Sequence, residues 1–371
     1  MDGEKSSVTV GKPYTLMLYC IRSREHAAPL ANDYTCYGRT PMTSRKCILL
    51  VIVLAIVPLR SSASSTSNHQ KPSDARMPAV IFDTDMGADC DDAGALAVLH
   101  HLADADRVRI LGVVYSSGKN PYGVGVCDAI NTYQGRGDLP LGQYKRSDVG
   151  APNDIYSKRI ATDTQTFGHD VVDEAPGLVG AYKKMLREEP DDSVTIITVG
   201  HPHGLVHVMR DREGARLVRS KVKRWVAMGG QWNWGKCGSD AYMEELLQRW
   251  PQDIYVSLAG KKILTGHRRL PGTPEKNPVR EAYRLYRNSL RKGRSSWDQL
   301  AVLFVACPKH FKVIDHGRHV REAPGKVIWD SKGNNPRHHL VVPKKTKEEL
   351  EKLIEGLMVG DGAAVQQCAP E

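Results

Sequence analysis

The chain has 371 residues, with 52 Lys and Arg against 42 Asp and Glu, a formal net charge of +10. Its hydrophobic fraction of 41% and charged fraction of 25% are those of an ordinary globular protein. They exclude a collagen-like, wholly disordered or multi-span membrane chain. The length allows one large α/β domain or two small ones.

Residues 1–63 hold eight Lys or Arg and four Asp or Glu. Within them, Met42-Thr-Ser-Arg45-Lys46 precedes an apolar run at 47–57, which Pro58 closes and Ser61-Ser62-Ala63 follows. A basic start, a short apolar run and small residues make up a secretory signal. The run is short for a bilayer, which takes ~20 apolar residues to span. A signal peptide is therefore expected at 42–63, cleaved near Ala63, with 1–41 an over-extended start and 64–76 a flexible leader. The expected location is secreted or periplasmic, a single anchor at 47–59 being the alternative. After cleavage no stable membrane partner is expected. Cysteines stand at 20, 36, 47, 90, 127, 237, 307 and 368 without a CxxC pair, which argues against a zinc ribbon. Export would permit one disulfide of unassigned pairing. Cys127 and Cys307, in apolar helical contexts, read as buried free thiols.

From residue 77 strands and helices alternate. A buried strand at 80–82 ends at Asp83, and a helix follows at 93–102. Next come a strand at 108–115, helices at 123–133 and 176–189, and a strand at 194–199. A helix at 204–209 leads to a strand at 224–228 that runs into Gly229-Gly230. A helix at 241–250, a strand at 254–258 and helices at 278–290 and 297–307 complete the series. Such alternation predicts a mostly parallel sheet covered on both faces. Short strands at 326–329 and 339–342 around Gly333-Asn334-Asn335 predict an antiparallel hairpin. Thr346-Lys-Glu-Glu349 is a capping box that opens a last helix at 348–358. The expectation is one Rossmann-like α/β domain over 77–371, with a small C-terminal β-hairpin and helix.

The sharpest motif is Asp83-Thr-Asp85-Met-Gly87-Ala-Asp89-Cys-Asp91-Asp92, five carboxylates between a buried strand and a helix. Ligands of open parallel sheets bind at the carboxyl ends of the strands. So many carboxylates repel one another unless a cation neutralises them. An all-oxygen donor set favours a hard cation, Ca²⁺ or Mg²⁺.

The run Asp83-x-Asp85-x-Gly87…Asp91-Asp92-Ala93-x-Ala95-Leu96 resembles the N-terminal signature of the inosine–uridine-preferring nucleoside hydrolases. The strand ending at Val199-Gly200, the Met228-Gly229-Gly230 turn and Trp297-Asp298 extend the resemblance over about 78–310. It implies a nucleoside hydrolase fold and Ca²⁺-dependent hydrolysis of the N-glycosidic bond of a ribonucleoside to ribose and base. Carried over by matching position, Asp85, Asp92, Asp298 and the Val199 carbonyl would ligate Ca²⁺, and Asp85 would be the base that activates water. Asp91 and Asn120 would bind the sugar, and Asp83 would brace the loop. The partner expected is a small nucleoside or related ribosyl substrate, with no nucleic acid; a homo-oligomer is left open.

The sequence departs from that pattern in four places. Met86 replaces the usual Pro. Asp89-Cys90 lengthens the loop by two residues. A Glu-Phe-Asn sugar-binding stretch is missing, and Gln231-Trp232-Asn233 follows the turn instead, with Asn233 its candidate ribose contact. Trp297 stands where many members have His; with Trp232 and Trp234 it is a candidate for stacking on the base. His203 and His207 have the i, i+4 spacing of a zinc pair but no third matching ligand, and His201 or His203 could touch substrate. The basic stretches 216–224 and 309–321 read as solvated faces rather than a nucleic-acid surface.

Two rival readings remain. Ile81-Phe-Asp83-Thr-Asp85 also resembles the start of haloacid-dehalogenase-type phosphatases, with Asp83 as nucleophile. The other rival is a non-catalytic Ca²⁺-dependent nucleoside- or sugar-binding protein.

Overall fold

The computed structural model describes residues 77–369. The expected extension, signal and leader at 1–76 lie outside the described residues. Among the described residues twelve strands are formed: β1 Ala79–Thr84, β2 Arg109–Tyr115, β3 Leu141–Gln143, β4 Val194–Thr198, β5 Val222–Met228, β6 Asp253–Ser257, β7 Leu264–Thr265, β8 Arg294–Ser295, β9 Phe311–Ile314, β10 Arg318–Ala323, β11 Lys326–Asp330 and β12 His338–Pro343. Eight of them build one sheet in the order β3-β2-β1-β4-β5-β6-β12-β9. Every pairing in it is parallel except that of β12 with β9. The mostly parallel α/β sheet read from the sequence is therefore present.

The strand order reverses between β1 and β4, because β2 and β3 grow to one side of β1 and β4 to β6 to the other. That reversal opens a crevice at the carboxyl ends of β1 and β4. Residues of β1 alternate between the faces, as strand geometry requires. Val80 and Phe82 pack with Leu96, Leu99, Val302 and Leu353 on one side. Ala79 and Ile81 pack with Leu178, Tyr182, Leu205 and Trp225 on the other.

The C-terminal hairpin differs from expectation. β11 pairs antiparallel with β10, not with β12. Pro324-Gly325, with Gly325 at φ +71°, supplies the tight turn between them. β12 instead enters the main sheet beside β6. The final helix, Lys347–Leu357, carries the expected capping box between Thr346 and Glu349. Cys307 also departs from the reading of a free thiol: it is disulfide-bonded to Cys368, 61 residues on. Cys90 and Cys127 are buried and free.

Candidate active site

The acidic run leaves β1 and turns into the helix Asp91–Asp104. Gly87 makes the turn at φ +112°, where a Cβ would also press on Ser157 Oγ at 2.7 Å. The Gly87 amide donates to Tyr156 Oη at 3.0 Å, and that hydroxyl donates to the Asp89 carbonyl at 2.5 Å. Tyr156 thus clamps the loop from the far side of the crevice. Asp91 and Asp92 occupy the first turn of the helix, where its dipole favours negative charge. β4 ends beside the same loop, the Val199 amide donating to the Asp83 carbonyl at 2.8 Å. The backbones meet so closely that a Cβ on Gly200 would collide with Asp85.

The crevice is a cavity of about 390 Å³. It brings together Asp85, Asp91, Asp92, Val199, Trp232, Asn233, Trp297 and Asp298, all named from the sequence. Asn120 does not line it. Its Nδ2 donates to the Asn153 carbonyl at 3.0 Å and to Ser157 Oγ at 2.8 Å, and its Oδ1 accepts from the Tyr122 amide at 3.0 Å. Asn120 holds the wall of the crevice rather than facing it. Trp234 is fully buried against Trp225 and is core, not a stacking surface. Asp83 is also fully buried, with Oδ2 accepting from Tyr182 Oη at 2.7 Å, and does not reach the cavity. A nucleophile at that position would lie outside the cavity, which argues against the phosphatase reading.

The remaining carboxylates divide by their partners. Asp91 accepts from Arg294 Nε at 2.8 Å and from the Trp297 amide at 3.2 Å. Arg294 also donates to Asp89 at 2.6 Å. Asp92 accepts from the Thr84 hydroxyl. By contrast Asp85 Oδ2 and Asp298 Oδ1 are buried without any hydrogen-bond partner. Asp89, Asp91 and Asp298 each offer an oxygen, and these lie within 4.8 Å of one another. Burial pushes the Asp298 and Asp92 carboxyls well above the usual range, and repulsion from neighbouring aspartates adds to it. Burial also raises Asp85, against the opposing pull of His201. Arg294 offsets part of this: burial disfavours its charge, but Asp91 and Asp89 outweigh that and hold it protonated.

His201 adds a group weighed in the sequence for substrate contact. Its Nδ1 lies 3.1 Å from the Asn233 carbonyl, so it carries the proton of that bond. Its Nε2 faces Asp85 Oδ2 at 3.3 Å. Asn233 Nδ2 in turn donates to the Val199 carbonyl. A carbonyl has two lone pairs, which leaves one for a cation. His203 and His207 join an edge-to-face cluster with Tyr144, where His203 meets Tyr144 at 4.2 Å between centroids.

Four features escaped the sequence reading: the role of Asp89, the Tyr156 clamp, Arg294, and the Tyr286-Arg287 wall that completes the cavity. The extra loop residues were the one local signal, for they bring Asp89 to Arg294.

No protein-family model matches the chain, and no curated protein does. Solved structures do, at low identity. An inosine–uridine-preferring nucleoside hydrolase from Bacillus anthracis is 15% identical with a TM-score of 0.57, covering 78% of this chain and 100% of its own. A purine-preferring ribonucleoside hydrolase from Gardnerella vaginalis is 16% identical with a TM-score of 0.55, covering 78% and 99%. The type III effector protein XopQ, complexed with adenosine diphosphate ribose, is 12% identical with a TM-score of 0.53, covering 79% and 93%. The fold is that of the nucleoside hydrolases.

Proposed function

We propose that the chain hydrolyses the N-glycosidic bond of a ribosyl compound, with Asp85 as the base that takes a proton from the attacking water. The observation that carries this reading is the pair of orphaned, buried carboxylate oxygens, Asp85 Oδ2 and Asp298 Oδ1, in one cavity. Buried carboxylates without partners are costly unless a cation satisfies them. Asp85, Asp92, Asp298 and the Val199 carbonyl all line the cavity and would supply the oxygen donors that Ca²⁺ takes, while the carboxylate oxygens that converge within 4.8 Å of one another are those of Asp89, Asp91 and Asp298. A bound Ca²⁺ would acidify water and orient the sugar diol.

The chain's own groups supply the rest. Glycosidic cleavage builds positive charge on the sugar ring. The buried aspartates at the floor of the cavity are placed to stabilise that charge. Asp85 Oδ2 lies 3.3 Å from His201 Nε2, which can share a proton taken by the carboxylate. Trp232, 46% exposed, and the half-buried Trp297 offer flat faces to a departing base. The nucleoside hydrolases among the fold neighbours support the same reaction class.

A reducing-sugar assay over a panel of nucleosides, with and without a chelator, tests the reading. Ribose release that the chelator abolishes is the expected result. Calorimetric nucleoside binding with no ribose released over hours would replace it with the non-catalytic binding reading. For location, the signal-like segment at 42–63 and the Cys307–Cys368 disulfide both support an oxidising, exported setting. Secretion of the full chain, with its N-terminus read by mass spectrometry, checks this.

A further inference from the structure

We propose that Arg287 binds a phosphate group carried by the ribosyl substrate, so that the cavity takes a phosphorylated ribosyl compound in preference to a bare nucleoside. This rests on the N-glycosidic reading above and names its substrate class.

The cavity has two arginines in its lining, Arg287 and Arg294. Arg294 is committed to Asp89 and Asp91. Arg287 makes no ion pair and no side-chain hydrogen bond among the described residues. It is exposed at the rim of the cavity, on a defined turn. The backbone enters the left-handed region at Arg287, φ +47°, and stays there at Asn288, φ +59°. Asn tolerates that region, but an arginine there is strained, and such strain collects at ligand clamps. The turn is held by the Tyr286 carbonyl, which accepts from the Ser289 amide at 2.8 Å and from its hydroxyl at 2.7 Å.

The turn sets the Arg287 guanidinium 5.4 Å from the centroid of the Tyr286 ring. Tyr286 is buried, and the same ring carries Arg294 at 5.3 Å. One aromatic ring thus carries both an arginine neutralised by aspartates and an arginine with no counter-charge among the described residues. Packing on the ring restricts the Arg287 stem before any ligand arrives. A guanidinium held this way presents a fork of donors that matches phosphate oxygens. The cavity is polarised as a result. The orphaned aspartates mark the place of the developing sugar cation, Trp232 offers a face to the base, and Arg287 awaits an anion.

The test is calorimetry on the full chain in Ca²⁺, with three probes: ribose, ribose 5-phosphate and inorganic phosphate. Ribose 5-phosphate should bind roughly 10-fold or more tighter than ribose, the range of one charge-assisted fork. Arg287→Gln should bring the two sugars to parity, and Arg287→Lys should keep part of the preference. Equal binding of the two sugars to the unaltered chain would overturn the proposal, as would a preference that survives in Arg287→Gln. Inorganic phosphate binding as tightly as ribose 5-phosphate would overturn it too, in favour of a free-anion site. The nucleoside panel separates the two readings. A chain that releases ribose but shows no phosphate preference loses this inference and keeps the hydrolase. One that neither discriminates nor releases ribose loses both.

Discussion

Two sets of buried carboxylates stand on the same side of the sheet and have opposite surroundings. Glu351 and Glu355, on the helix Lys347–Leu357, are 2% and 1% exposed. Glu355 accepts from three successive backbone amides, His267, Arg268 and Arg269, at 3.0 to 3.1 Å. Glu351 accepts from the Leu264 amide at 2.9 Å and from Arg268 at 3.0 Å. Asp85 and Asp298 are just as buried, yet each keeps an oxygen without a donor. A carboxylate surrounded by donors fastens a loop. The free oxygens of Asp85 and Asp298 differ in facing a cavity, whereas the one other such aspartate oxygen among the described residues, Asp83 Oδ1, does not.

Four measurements can break or sharpen this contrast. Asp85→Ala should lower ribose release by roughly 10³-fold, the scale of a lost general base, with the far-UV circular dichroism unchanged. Substantial residual activity would return Asp85 to the structural set. Glu355→Ala should cost about 3 kcal/mol in urea unfolding, because three backbone amides lose their acceptor. A neutral result would mean that those amides find water instead.

Asp298→Asn should weaken Ca²⁺ binding by roughly 10- to 100-fold in calorimetry. Without cation, the same variant should melt at a higher temperature than the parent, since it removes a buried uncompensated charge. A lower melting temperature in chelator would break the comparison outright. The smallest effect concerns a buried base. Burial pushes His100 down to about 4 from its ordinary 6.5, Arg136 adds to this, and the bond to Asn131 opposes it. Between those values the unfolded chain binds the extra proton, so stability falls as pH drops from 6.5 towards 4. The expected slope is about 1 kcal/mol per pH unit. His100→Gln should flatten it in urea midpoints measured across that window.

The contrast also explains what could be read from the sequence. The strand, Gly87 and the aspartates up to Asp92 lie within a dozen residues, so one local pattern displays half the site. Asp298 was reached by family spacing, and Val199 by its place at the end of a strand. Arg294, Tyr156 and Arg287 carry no such mark. Arg294 meets Asp89 across 205 residues and Tyr156 meets it across 67, and nothing near either residue announces its partner. The same limit misassigned β12. Its alternation is that of any half-buried strand, and only the open edge of β6, some 80 residues upstream, decides where it pairs. Pro324-Gly325 was the nearer turn signal, and it belongs to β10 and β11.

The placement of β12 has a further consequence for how the protein is made. Residues 338–343 fill the gap between β6 and β9, so an interior strand of the sheet leaves the ribosome only after every aspartate of the site. Until it arrives, both neighbours expose unpaired backbone, although the candidate site has already been synthesised. Such open edges invite pairing with other chains. A chain stopped before residue 338 would contain every aspartate of the site and still be expected to aggregate, so completeness, rather than the site, governs its survival during synthesis.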